Sequence, residues 1–133
     1  MRALVQSALG VATVDLEDDQ VVELDEDTTL ELSSVETGLP RVVQADRQGS
    51  TVVAVVDRRP PLLVSGDAGL TWREAGGGLP AGRAVAVSPD HPDLVLYAGE
   101  SRLFLSTDGG RFWRGLATEL PDISAVAWLP ATA

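Results

Sequence analysis

The amino-acid sequence predicts an all-β protein made of repeated four-stranded units. Three observations support this fold class: short β-prone runs separated by turn residues, no stretch with the apolar spacing of a helix, and an internal period of 40 or 41 residues. The period is clearest in the Leu-Pro pairs at 39–40, 79–80 and 120–121. Because several other positions share the same spacing, a structural repeat explains them better than chance.

The most specific part of the repeat is an eight-residue segment that occurs at 65–72 and again at 106–113. Its glycine can adopt the positive φ of a tight turn, and its aspartate can accept hydrogen bonds from the amides of that turn. Its tryptophan can anchor the hairpin by burying a large ring. These roles make a metal-binding or catalytic aspartate unnecessary as an explanation. The residues that define the segment are Ser65, Asp67, Gly69, Thr71 and Trp72 in the first copy and Ser106, Asp108, Gly110 and Trp113 in the second.

Each repeat contains about as many strands as one propeller blade. The second repeat has candidate strands at 42–45, 51–56, 62–65 and 71–74, separated by prolines and by the glycines at 76–78. A single domain over 1–133 is therefore expected, with approximate repeats at 1–40, 41–80 and 81–121 and a closing strand at 122–130. In the degenerate first repeat, Asp27 aligns with Asp67 but Thr29 replaces the glycine.

The two segments resemble the Asp-box of the BNR-type repeat family, which occurs in sialidases, sortilin-type receptors and photosystem assembly factors. The resemblance implies a β-propeller, WD40/YVTN-like in architecture, with four-stranded antiparallel blades and three blades in this chain. It also implies that the Asp-box is a structural turn far from any active site.

The ends of the chain indicate how such a ring could close. The first repeat lacks an innermost strand, and the C-terminus has one to spare. Three blades cannot close a ring, because propellers need roughly four to eight. We therefore expect a homodimer with a six-bladed ring, formed by C-terminal strand exchange; the alternative is an open fragment capped by a different protein. The exchanged strand contains Ile123, Ala125, Val126, Ala127 and Trp128, and it is expected beside Ala3, Leu4 and Val5 in the 3–9 segment of the other copy.

The charge balance narrows the range of partners. The 133 residues contain 20 acids and ten bases, all arginine, for a net charge of -10. This charge repels nucleic acid and anionic membranes, so neither is an expected partner. Two origins of the acid excess remain open: a halophilic adaptation, which points to a haloarchaeal family member, or a GC-rich genome that favours arginine codons.

Composition also bears on chemistry and location. The absence of cysteine excludes disulfides and thiolate catalysis. No apolar run is long enough to span a membrane, and the first ten residues lack a signal-peptide pattern, so a cytoplasmic location is expected.

Few residues suggest a catalytic or metal site. His91 is the only histidine and lies in a polar, proline-rich turn, where we expect it to be solvated. The acids at 15–27 lack the spacing of a calcium loop, and we expect them to face water. Tyr97 could serve as the nucleophile that a sialidase needs, but it lies in an apolar run and should pack instead. No catalytic residue, metal ligand or cofactor is therefore predicted.

The expected function is a non-enzymatic interaction scaffold that binds a protein partner. The alternative is a carbohydrate-binding or vestigial sialidase-like propeller. The face near the ring axis distinguishes them, because exposed aromatics and arginines there favour glycan binding, while a flat acidic face favours a protein.

Overall fold

A computed structural model describes residues 1–31 and 35–129, and within them the chain forms twelve β-strands and no helix. Residue 130, the end of the predicted closing strand, lies outside the described residues. The strands are β1 (Arg2–Ser7), β2 (Gly10–Asp15), β3 (Gln20–Asp25), β4 (Val42–Gln48), β5 (Thr51–Val56), β6 (Leu62–Ser65), β7 (Arg73–Ala75), β8 (Ala84–Val87), β9 (Val95–Ala98), β10 (Arg102–Ser106), β11 (Arg114–Glu119) and β12 (Ala125–Trp128).

In this described part the strands form three four-stranded antiparallel sheets. Sheet 1 has the order β12-β1-β2-β3, sheet 2 the order β4-β5-β6-β7, and sheet 3 the order β8-β9-β10-β11. Sheets 2 and 3 are simple meanders, as expected when short turns join consecutive strands. The predicted all-β class is therefore confirmed, and the arrangement is propeller-like.

Sheet 3 lies between the other two sheets, and alternate residues of its strand β9 show this packing. Leu96 and Ala98 belong to an apolar cluster shared with sheet 1, whereas Val95 and Tyr97 belong to a cluster shared with sheet 2. Successive side chains of a strand point to opposite faces, so β9 is apolar throughout because both of its faces are covered. We call the two packed interfaces seam 3–1 and seam 2–3.

The innermost strands of the three sheets are β12, β4 and β8, and β8 contacts the other two. Residues 76–83 join β7 to β8, and residues 120–124 join β11 to β12. Residues 26–41, between β3 and β4, form a much longer connection. It includes residues 32–34, which lie outside the described part of the chain.

Strand β12 completes sheet 1 by pairing with β1, with Ala3 opposite Trp128, Leu4 opposite Ala127, and Val5 opposite Val126. The sequence predicted these two segments as neighbours in different copies of the chain, whereas here the pairing forms within one chain. Closure within the chain is possible because the 26–41 connection can span roughly 3.3 Å per residue. Ahead of β12, Ile123 is buried in seam 3–1.

The first repeat differs in detail from its sequence alignment. The turn between β2 and β3 begins at Asp15, whose Oδ1 accepts hydrogen bonds from the amides of Glu17 (3.0 Å) and Asp18 (3.1 Å). Asp27 instead follows β3, and its amide donates to Asp25 Oδ1 at 3.0 Å. The structural counterpart of Asp67 is therefore Asp15 and not Asp27.

Candidate functional site

The turn between β6 and β7 is organised by Ser65 and Asp67. The Ser65 hydroxyl donates to Asp67 Oδ1 (2.7 Å) and accepts from the amide of Gly69 (2.8 Å), which has a φ of 90°. Asp67 also accepts from the amide (2.9 Å) and hydroxyl (2.5 Å) of Thr71. These bonds lower the pKa of Asp67 to about 2, and the bond from the Thr71 hydroxyl contributes most to the shift. The carboxylate is thus occupied by its own turn.

The turn between β10 and β11 repeats this arrangement. Ser106 Oγ donates to Asp108 Oδ1 (2.8 Å) and accepts from the amide of Gly110 (2.8 Å). Asp108 Oδ1 also accepts from the amides of Arg111 (3.1 Å) and Phe112 (3.0 Å). The Phe112 amide contributes most to lowering the pKa of Asp108. Both aspartates therefore serve as acceptors for turn amides.

Of the two aromatic residues in the second turn, only Trp113 packs into seam 2–3. Trp113 lies edge-on to Tyr97, with ring centroids 5.8 Å apart, and Tyr97 makes a similar contact with Phe104 at 6.2 Å. The buried Tyr97 hydroxyl donates to the carbonyl oxygen of Pro80 at 2.5 Å, and burial raises its pKa to about 12. Tyr97 is consequently part of the packing. Trp72, in the first turn, is half-buried over Gly69.

An axial cleft of about 180 Å³ opens where the innermost strands meet. Its polar side chains bind the free edge of β8: Gln44 Oε1 accepts from the amide of Val85 (3.3 Å), and Asp46 Oδ2 accepts from the amide of Val87 (2.8 Å). Burial raises the pKa of Asp46. From the other side, Trp128 Nε1 donates to the carbonyl oxygen of Ala86 at 3.0 Å. These side chains satisfy backbone groups that an inner strand would otherwise leave unpaired.

The same kind of hydrogen bond joins neighbouring sheets at both seams. Arg73 and Arg114 are the first residues of β7 and β11, and each donates from Nη2 to a carbonyl oxygen in a turn of the next sheet. Arg73 binds Gly109, and Arg114 binds Leu16 at 2.9 Å. We call these interactions the arginine clamps. Because the two clamps are equivalent, their acceptors Gly109 and Leu16 occupy equivalent positions in their turns. The residues directly before them, Asp108 and Asp15, are therefore equivalent as well.

Two large apolar side chains project from the Ser65 and Ser106 turns into solvent. Leu70 is 84% exposed and Phe112 is 79% exposed. The Phe112 amide donates to Asp108 Oδ1 (3.0 Å) and the Leu70 amide donates to the backbone carbonyl oxygen of Asp67 (3.4 Å), so each backbone is held within its own turn. The sequence analysis named neither residue: Leu70 is at a variable position of the repeated segment, and Phe112 stands where the first copy has Thr71.

The other candidates lie apart from these turns. His91 is exposed in the β8–β9 turn, where its carbonyl oxygen accepts from the amide of Leu94. Among the acids at 15–27, Asp19 accepts from the amides of Ala117 (2.5 Å) and Thr118 (3.0 Å) across seam 3–1. Within residues 1–31 and 35–129, no three metal-ligating side chains lie close enough to hold an ion. The same residues contain no helix long and apolar enough to cross a membrane.

No protein-family model and no curated protein matches the chain. Among solved structures, the crystal structure of the GH74 enzyme of Niastella koreensis is similar, with a TM-score of 0.52 and 24% sequence identity. The similarity covers 93% of this chain and 19% of that chain. At this identity the likeness concerns the fold alone, and it agrees with a propeller-like row of sheets.

Proposed function

We propose that the chain is a protein-interaction module, an Asp-box propeller that binds a protein partner through the rim formed by its Ser65 and Ser106 turns. The observation that carries this proposal is the contrast between the axial cleft and the rim. The polar atoms of Gln44, Asp46 and Trp128 are engaged with neighbouring strands. Leu70 and Phe112, in contrast, stand free in solvent on fixed turns. Exposed apolar anchors on rigid supports are typical of protein interfaces.

The alternative, a carbohydrate-binding or vestigial hydrolase propeller, has less support from the axial cleft. Among the described residues that line it, Trp128 is the only aromatic residue and there is no arginine. A glycosidase needs two available carboxyl groups at a defined separation. Two acids, Glu31 and Asp46, line the cleft, and Asp46 is already engaged because its Oδ2 accepts from the Val87 amide. The similarity to a GH74 enzyme is one of fold and does not alter this balance.

We further propose that two copies complete a six-bladed ring by exchanging β12. In that ring, sheet 1 lies next to sheet 2 of its own chain, so the 26–41 connection joins neighbouring sheets as 76–83 and 120–124 do. The two ends of the row also carry the residues that correspond to the donor and the acceptor of an arginine clamp, with glutamine in place of arginine. Gln20 is the counterpart of Arg73 and Arg114, and the carbonyl of Ala68 is the counterpart of that of Gly109. The ring brings these two exposed residues together.

The cellular setting proposed for this module is a salt-rich cytoplasm of the haloarchaeal kind. The support is the net charge of -10, which comes from 20 acids against ten bases. At molar salt the Debye length falls to about 3 Å, so the repulsion between these carboxylates is screened.

Protein binding is tested by capture from native extract with the wild-type chain and a Leu70→Glu/Phe112→Glu variant. The captured protein is identified, purified and titrated by calorimetry. We expect the double variant to bind about tenfold more weakly or worse, as when interface anchors are lost. Leu9→Glu is the matched control, because Leu9 is also exposed but lies on the β1–β2 turn of sheet 1. Equal binding by all three proteins, or glycan binding without a protein partner, contradicts the proposal.

Strand exchange is tested by a Leu4→Cys/Ala127→Cys variant of this cysteine-free chain. These residues are opposite each other in the β1–β12 pair, and directly opposed antiparallel residues are close enough for a disulfide. In an exchanged dimer, oxidation yields a covalent species of twice the chain mass on non-reducing gels. A cross-linked species of single-chain mass means closure within the chain. If light scattering finds only a monomer, and that monomer is stable only when a different protein is bound, the open-fragment alternative is supported.

A further inference from the structure

The outer end of seam 2–3 contains a cleft of about 190 Å³ in which two arginines meet. Nη2 of Arg73 and Nη1 of Arg111 each lie 3.4 Å from the point where a Cβ on Gly109 would stand. Gly109 is buried and has a φ of 74°, so its turn leaves this space open to the two guanidinium groups. Thr51 and Ser65 add hydroxyl groups to the wall.

The two guanidinium groups are held in place by carbonyl oxygens, and neither makes an ion pair with a described carboxylate. Arg73 donates to the carbonyl oxygen of Gly109, and Arg111 Nη1 donates to that of Asp108 at 2.8 Å. Among the described residues, no carboxylate oxygen lies within 4.0 Å of a guanidinium nitrogen of either arginine. Asp93 Oδ1 approaches the same point to 3.6 Å, and the Asp108 carboxylate is occupied by turn amides. Desolvation, followed by the charge of Arg111, lowers the pKa of Arg73, and the negative charge of Asp108 partly offsets this.

Comparison with seam 3–1 shows that the clamp does not need the second arginine. There Arg114 makes the equivalent bond to Leu16, and the counterpart of Arg111, two residues after the acceptor, is the acid Asp18. In the Ser65 turn the same position holds Leu70. Arg111 therefore places a second positive charge where the fold requires none, in a chain with twice as many acids as bases.

We propose that the Arg73–Arg111 cleft binds a carboxylate from an acidic side chain of the protein partner. This inference rests on the proposed function and specifies the chemistry of the partner. Each guanidinium group has five N–H donors in a planar fork, so both retain donors after their single carbonyl bond. A carboxylate can accept from both arginines, and the adjacent Phe112 then contacts an apolar residue of the same segment. The preferred ligand is an acidic segment that also carries an apolar side chain.

The test is a titration of the full chain with a Glu-Glu-Leu-Glu peptide, followed by the amide shifts of Gly66 and Gly109 in NMR spectra. Gln-Gln-Leu-Gln, in which only the carboxylates are replaced, is the ligand control. Arg111→Gln removes one guanidinium and should weaken the acidic peptide about tenfold, the size expected for charge-assisted bonds. Arg47→Gln is the matched protein control, because Arg47 is also exposed and donates to a carbonyl of its own turn, that of Gly49. It should change binding less than twofold.

Other results overturn the proposal. If Arg47→Gln weakens the acidic peptide as much as Arg111→Gln does, the attraction is general electrostatics. If inorganic phosphate displaces the peptide at equal concentration, the cleft is a general oxyanion site and not a carboxylate site. If a captured partner binds wild type and Arg111→Gln equally but loses affinity for the Leu70→Glu/Phe112→Glu variant, the interaction module stands and the carboxylate site fails.

Discussion

The two seams that join the row of sheets differ in the side chains that fill them. The buried residues of seam 3–1 are aliphatic, Leu96 and Leu116 among them, and the half-buried Trp128 packs against them. Seam 2–3 contains the aromatic group Tyr97, Phe104 and Trp113. The turns at their outer ends differ too, because seam 3–1 has the acids Asp18 and Asp19 where seam 2–3 has Arg111 and Phe112. The shared arginine clamp is thus scaffold, while the side chains around it vary.

This comparison indicates where specificity resides. Asp19 caps two amides of β11, so the turn at seam 3–1 is closed by interactions within the molecule. At seam 2–3 the equivalent Phe112 makes no such contribution and remains exposed. The acids at seam 3–1 are therefore engaged within the molecule, whereas seam 2–3 leaves the Phe112 side chain exposed, as the proposed partner site requires.

The largest expected effect is the loss of seam 3–1 altogether. Deleting residues 122–133 removes β12 and Ile123, which leaves β1 as an open edge and uncovers the aliphatic cluster. We expect aggregation or an unfolded chain, detected by circular dichroism and light scattering. Deleting only 130–133 is the control and should leave both signals unchanged. A 122–133 deletion that stays folded at the mass of the intact protein contradicts the importance of this strand, whichever chain supplies it.

A smaller effect is expected when each seam is altered from the same strand. Leu96→Ala opens a cavity in seam 3–1 and should cost about 2–5 kcal/mol of unfolding free energy. Tyr97→Phe keeps the ring in seam 2–3 but leaves the Pro80 carbonyl without its donor, at a cost of about 1–3 kcal/mol. Urea denaturation of both variants measures the difference. A larger loss for Tyr97→Phe would mean that the polar bond, not packing volume, controls the seams.

The Ser65 and Ser106 turns that flank seam 2–3 should respond to pH. The pKa of Asp67 is lowered from 3.8 to about 2, so its ionised form stabilises the fold above pH 3.8, and this contribution is lost as pH falls toward 2. Asp67→Ala and Asp108→Ala should both lower the melting temperature at pH 7 and flatten its dependence on pH in this range. Asp93→Ala, an exposed acid near the same cleft, is the control. Unchanged melts in both turn variants would refute the structural role of the repeated aspartates.

Asp46, which lies where sheet 2 meets β8 at the axial cleft, should show the opposite dependence of stability on pH. Its folded pKa is raised above 3.8, so its buried charge penalises the fold fully above the folded pKa, and the penalty shrinks to nothing as pH falls from there to about 3.8. Asp46→Asn keeps an acceptor for the Val87 amide and should melt at the same or a higher temperature at pH 7. Asp46→Ala leaves that amide unpaired and should cost about 1–3 kcal/mol. A destabilised Asp46→Asn variant would mean that the charge itself is required.

The smallest change in stability, counted per charged residue, should come from a change in salt concentration. If the acid excess is a halophilic adaptation, stability should rise as KCl approaches molar concentration, because screening reduces carboxylate repulsion. Melting curves followed by circular dichroism across that range measure the response, with equimolar changes in a neutral osmolyte as the control. A flat response favours the explanation by codon composition.

Much of the fold could be predicted from the sequence, because its signals are local. The glycines and aspartates at 65–72 and 106–113 specify tight turns, and the β-prone runs between the Leu-Pro pairs specify strands. The first repeat was harder to place, because its turn lacks glycine and serine. A shift of fixed length selected Asp27, whereas the turn that packs against β11 begins at Asp15.

The sequence by itself determined the all-β class, the two serine–aspartate turns and the complementarity of β12 and β1, because each depends on residue type at short range or on one repeated spacing. Only the tertiary structure decided which residues meet across sheets. Leu96 and Tyr97 are neighbours in sequence yet face different seams, and Arg73 and Arg111 converge because Gly109 leaves space between them. Such contacts join residues far apart in the chain, and their geometry is set by how one sheet packs on the next, which no local pattern encodes.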